Sequence, residues 1–117
     1  MEPNSVCHVD WHALDFDRVK KFYGELFGWT FQDWDPEYLM FNAPGNVSGG
    51  FVKTDKFDPA QGAVVYILVT DLEVSRQKVI ELGGTASLAH EIPGHGQISL
   101  LTDTEGNNLG IFQSNGA

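Results

Sequence analysis

The sequence predicts an α+β fold made of two tandem βαβββ modules. A strand, a capped helix and a glycine stop occur twice, 56 residues apart, and three short alternating runs separated by turn residues follow each time. Size agrees with this. At 117 residues the chain can bury roughly 60–70% of its unfolded surface, enough for one compact core without staples.

The first strand is expected in "CHVDWHALD", residues 7–15. In "DFDRVKKFYGELFGW" the residues Val19, Phe22, Tyr23, Leu26 and Phe27 recur at the spacing of one helix face, with Asp15 as N-cap and Gly28 as the left-handed stop. Phe22, Tyr23, Phe27 and Phe31 are expected in the core. Strands then follow in "WTFQDW", "YLMFNA" and "GGFVK", punctuated by Asp35-Pro36 and Pro44-Gly45-Asn46. Module one covers about residues 6–53. The Pro- and charge-containing stretch 54–61 reads as a connector, and module two covers about 62–113. Its "VVYILVTDLEVSRQKVIELGG" repeats the pattern, pairing Val9 with Val65, Asp15 with Asp71, Leu26 with Leu82 and Gly28 with Gly84. Strands are expected in "TASLAHEI", "GQISLLT" and "LGIFQ". A lone four-stranded unit would leave a sheet face uncovered, so eight strands are expected to share one core within a single domain over 1–117.

Composition excludes several classes. Sixteen acidic against seven basic residues give a formal charge of −9, which repels phosphate backbones and anionic membranes, so neither nucleic acid nor membrane is an expected partner. The one cysteine, Cys7, permits no internal disulfide or cysteine-rich zinc cage and reads as a small buried hydrophobe. With no basic-then-apolar order at the N-terminus, the expected location is cytoplasmic.

His8, Asp10 and His12 fall on alternate positions of the first strand. With Val9, Trp11 and Ala13 packed under the helix, these three face the other way, as Val64, Tyr66 and Leu68 do in the second half. An apolar wall opposite a few polar groups is the usual make-up of a small-molecule pocket. Trp29 and Trp34 have opposite parity in "WTFQDW", so one of them joins that face. Asp103 and Glu105 read as turn residues of "TDTEGNN", and His90 and His95 bracket another turn.

"KKFYGELFGW" after a polar strand, together with "IPGHGQISLLTDTEGNNLGIFQ", resembles the vicinal oxygen chelate superfamily: glyoxalase I, bleomycin-resistance proteins and extradiol dioxygenases. The likeness runs from about His8 to Gln113. It implies a curved, cup-like eight-stranded mixed sheet with helices on its convex side, and a homodimer. It also implies a divalent metal on up to four ligands, one from the first and one from the last strand of each module. His8 matches the first position. Its repeat mate is Val64, the closing motif offers Gly110, and the end of module one offers only Gly49 to Phe51. The resemblance therefore implies a protein that binds or transforms a small organic molecule in the cup, with most of the metal ligands lost. Its expected binding residues are His8, Asp10, His12, Trp29, Val64, Tyr66, Leu68, Gly110 and Phe112, with Asp10 and His12 as catalytic groups. Alternatives are a metal-dependent lyase, isomerase or dioxygenase holding a divalent ion through His8, and a sequestering protein without turnover.

Overall fold

The structure, a computed structural model, describes residues 2–56 and 62–116. Most of the expected connector, residues 57–61, lies outside the described residues. Internal contacts divide the chain into two compact units, His8–Val64 and Met1–Cys7 with Val65–Ala117. The α+β class and the repeated βαβββ order stand as expected.

The first unit holds β1 (Val6–Ala13, from His8 onward), α1 (Phe16–Phe27), β2 (Thr30–Asp35), β3 (Tyr38–Asn42) and β4 (Ser48–Lys53). Strand β4 pairs parallel with β1 and antiparallel with β3, and β3 pairs antiparallel with β2 across a register shift between Asp33 and Asp35. α1 begins where Asp15 turns extended and its carboxylate accepts from the amides of Asp17 at 2.9 Å and Arg18 at 3.2 Å. It ends at Gly28, whose φ of 73° closes the helix. Ala13, Leu39, Phe41 and Phe51 are buried beneath it, with Trp11, Phe16, Val19, Tyr23, Trp29 and Phe31 packed around them.

Two expected core residues are not there. Phe22 and Phe27 are 60% and 56% exposed, as is Leu26 at 59%. The apolar stripe of α1 is wider than the contact it makes: Phe16, Val19 and Tyr23 meet the sheet, and the neighbouring stripe points to solvent.

The second unit holds β5 (Val64–Leu68, from Val65 onward), α2 (Leu72–Glu81), β6 (Thr85–Ala86), β7 (His90–Ile92), β8 (Gly96–Thr102) and β9 (Asn108–Ser114). β9 pairs parallel with β5 and antiparallel with β8, which also pairs antiparallel with β6 and β7. The run "TASLAHEI" is thus two strands along one neighbour, interrupted at Ser87, whose Oγ accepts from the Leu100 amide at 2.9 Å. Asp71 caps α2 by accepting from the Val74 amide at 3.0 Å. Leu72, Leu101 and Ile111 are buried under α2. The N-terminal residues belong to this unit because the Asn4 amide donates to the Leu68 carbonyl at 2.6 Å and the Leu68 amide donates to that of Ser5 at 2.9 Å.

Among the described residues, buried apolar side chains cluster under α1 in one unit and under α2 in the other. In each module the apolar parity of the strands points at that module's own helix. No helix of the described residues is long and apolar enough to cross a membrane.

Candidate functional site

The pleat of β1 separates its residues by parity. Trp11 and Ala13 join the cluster under α1, so His8, Asp10 and His12 project from the opposite face. β3 and β4 obey the same rule. Leu39, Phe41 and Phe51 lie on the helix side, leaving Tyr38, Ser48 and Gly50 on the polar face. The register sets Ser48 beside His8 and Gly50 beside Asp10.

Four of these side chains form a hydrogen-bonded cluster. The Tyr38 hydroxyl donates to Asp10 Oδ1 at 2.6 Å, and His8 Nε2 lies 2.8 Å from the same oxygen and 2.9 Å from the Tyr38 hydroxyl. On the other side of the ring, His8 Nδ1 is 2.6 Å from Ser48 Oγ. Two proton arrangements serve these contacts: a neutral imidazole donating from Nε2 with Ser48 donating to Nδ1, or an imidazolium donating from both ring nitrogens. The side chains of His8 and Asp10 are 25% and 14% exposed, open enough to meet a small molecule and sheltered enough for polar contacts to count. The Tyr38 and His8 contacts both use Oδ1, and no hydrogen bond or ion pair among the described residues reaches Asp10 Oδ2. His12 is half-buried on the same face.

The glycines at the last-strand positions are occupied by neighbours. A Cβ on Gly50 would run into the ring and hydroxyl of Tyr38 and the carbonyl of Leu39. A Cβ on Gly110, in register with Tyr66, would strike the Tyr66 ring. So where the resemblance places metal ligands, each module has a glycine covered by a tyrosine. Val64 offers no donor. The residues present do not fit a four-ligand metal centre: His8 supplies one donor, already engaged at both nitrogens. Among the described residues, no three His, Cys, Asp or Glu side chains gather as a metal group would need.

The other predicted site residues divide. Tyr66 is buried over Gly110, and Leu68 and Phe112 are register partners on that same face of module two. Trp29 is on the helix side, stacked on Phe41 at 4.6 Å and on Tyr23 at 5.4 Å, so it cannot serve the polar face. Trp34 does: it stands edge-on to Tyr38 at 6.1 Å and is 44% exposed. Tyr38 and Ser48 were not singled out from the sequence. The signal was available in "YLMFN", where Leu39 and Phe41 take the core parity and leave Tyr38 with Asp10. Two open clefts, about 270 and 520 Å³, adjoin Phe22: the first is lined by His12, Ala13 and Leu14 with Val19 and Tyr23 of α1, and the second by α1 residues alone, among them Lys21, Glu25 and Leu26.

Elsewhere, Asp103 holds its turn by accepting from the amides of Glu105 and Asn107 and from the Asn107 side chain, which lowers its pKa. Burial pushes the Cys7 thiol up, consistent with an inert core residue.

Comparison with known proteins accords with this fold. Residues 6–112 match the model of the glyoxalase-like domain. A glyoxylase-like domain-containing protein of Didymella fabae is 35% identical over 91% of both chains. The putative glyoxylase CFP32 of Mycobacterium tuberculosis is 30% identical over 92% of this chain, which spans only 44% of that protein's length. The crystal structure of methylmalonyl-CoA epimerase from Mycobacterium tuberculosis shares the fold, with a TM-score of 0.74 at 15% identity, covering 99% of this chain and 94% of that one. With the family model spanning nearly all of it, the chain belongs to the glyoxalase-like domain family.

Proposed function

We propose that the chain binds or transforms a small organic molecule on the polar face of module one, and that it does so without the metal its fold commonly carries. The observation that supports this is the His8–Asp10–Tyr38–Ser48 cluster, in which three side chains orient one carboxylate and leave its Oδ2 open. Aligned polar groups on a sheet, half-sheltered from water, suit recognition of a small polar molecule. They also suit proton transfer, since a base needs a fixed orientation and a partner for its conjugate acid. In that role Asp10 accepts the proton at Oδ2, Tyr38 and His8 hold it in place, and His12 is the nearest further group on the strand.

A fragment library screened by amide NMR tests the reading. Saturable shifts centred on His8, Asp10, Tyr38 and Ser48, lost in Asp10→Ala, are expected; fragments that bind only elsewhere would remove the proposal. Metal analysis of protein purified without a histidine tag tests the second clause. One divalent ion per chain, lost in His8→Ala, would favour the metal-dependent alternative.

A further inference from the structure

We infer that the ligand of this face is an organic cation with a flat or apolar body, its charged head held at Asp10 Oδ2 and its body lying along Tyr38 toward Trp34. This rests on the binding reading above and adds the ligand's charge and shape.

The charge follows from what surrounds Asp10. Its Oδ1 already accepts from the Tyr38 hydroxyl and from His8 Nε2. None of the seven Lys and Arg side chains pairs with it: Arg18 meets Asp15, Lys20 meets Asp33, and Arg76 meets Glu73. The Asp10 carboxylate, 14% exposed, thus has no lysine or arginine partner and offers Oδ2 to a ligand. An ammonium or amidinium head supplies a donor to that oxygen and an opposite charge. The net charge of −9 attracts such a ligand from a distance and repels an anion.

The shape follows from the aromatics. The Tyr38 ring is seated against Gly50, its hydroxyl bonds Asp10, and the Trp34 ring stands edge-on to it at 6.1 Å. A ligand beside Tyr38 has a carboxylate and an exposed indole among its neighbours. Cations and flat rings both gain from an aromatic face. A polyanionic ligand such as a coenzyme A thioester, named for the epimerase of similar fold, meets only repulsion here.

Three probes of one shape and different charge test the inference: phenethylammonium, 2-phenylethanol and phenylacetate, titrated by amide NMR at fixed ionic strength. The ammonium should bind roughly tenfold or more tighter than the alcohol, with shifts at Asp10 and Trp34, and phenylacetate should not bind. Asp10→Asn should erase the difference between ammonium and alcohol, whereas Glu25→Gln on α1, a charge-matched control, should preserve it. If alcohol and ammonium bind equally at Asp10, the charge selectivity falls while the binding reading stands. If no probe shifts Asp10, or phenylacetate binds best, the inference is overturned; the fragment screen decides separately whether the face binds anything.

Discussion

Replacing Gly110 with alanine should destabilise the protein, and should stop doing so once Tyr66 is removed. A Cβ at this position meets three atoms of the Tyr66 ring first, before any backbone atom, and that ring is only 8% exposed. Overpacking a filled site costs about 1–3 kcal/mol. The lower unfolded-state entropy of alanine returns about 0.4–1 kcal/mol, which leaves a net loss of about 1–2 kcal/mol. At about 3–6 °C per kcal/mol for a chain of this size, Tm should fall by roughly 5–10 °C. Urea unfolding followed by circular dichroism reads the same change as a lower midpoint at constant slope. In a Tyr66→Ala background the alanine should be neutral or slightly stabilising, giving a coupling of about 1–3 kcal/mol. An equal loss in both backgrounds would refute the seating of Tyr66 on Gly110, and with it the argument that a ligand-bearing side chain has no room there.

Asp15→Ala removes the acceptor for two amides at the start of α1 and should cost about 1 kcal/mol in urea unfolding. Arg76→Ala removes one donor to the Ser87 carbonyl, which keeps the Ser99 hydroxyl as its other, and should cost about 0.5–1.5 kcal/mol, whereas Glu73→Gln, at the exposed end of the Arg76–Glu73 ion pair, should change little. Asp103 has its carboxyl held low by the Asn107 side chain and turn amides. Its support is therefore full above the ordinary aspartate range and is lost as pH falls through the lower folded value. The Asn107 amide shift, followed from pH 7 downward, should move at a lower pH than that of an isolated aspartate turn; a midpoint at or above the ordinary range would contradict this.

The helices were legible because their signals are local. Asp15 and Asp71 set the starts of both helices and Gly28 the end of α1 through contacts within four residues, while α2 is capped by Leu82, and the 56-residue repeat supplied the order of strands. What periodicity could not supply was how wide a face each helix buries, so Phe22 and Phe27 were assigned to a core they do not enter. Strand parity gave the polar face of β1, but not its partners. Trp29 lies with Phe31 in the cluster under α1, which leaves Trp34, of the opposite parity, for the polar face; parity alone did not say which of the two would be buried. Tyr38 and Ser48 join His8 and Asp10 from strands 28 to 40 residues away, a distance over which register, and not sequence spacing, decides what meets.

The repeat also shows why the polar cluster occurs in one module only. At the 56-residue offset His8, Asp10 and His12 correspond to Val64, Tyr66 and Leu68. Asp10 and Tyr66 each stand in register with a last-strand glycine, Gly50 and Gly110. A glycine in a sheet leaves a notch that must be filled or left as a void. Module two fills it with Tyr66 from the first strand itself, so that strand position can hold nothing else. Module one fills it with Tyr38 from β3, which frees position 10 for a carboxylate and brings a hydroxyl to bond it. Moving one aromatic ring to a different strand is therefore sufficient to turn an apolar face into a polar one. The exchange makes a specific demand: Tyr38→Phe keeps the notch filled and should leave the fold intact, while Asp10 loses its 2.6 Å donor and any ligand selectivity that depends on a fixed carboxylate weakens. If Tyr38→Phe unfolds the module as readily as Tyr38→Ala, the hydroxyl and not the ring maintains the fold, and the two glycine notches are not equivalent.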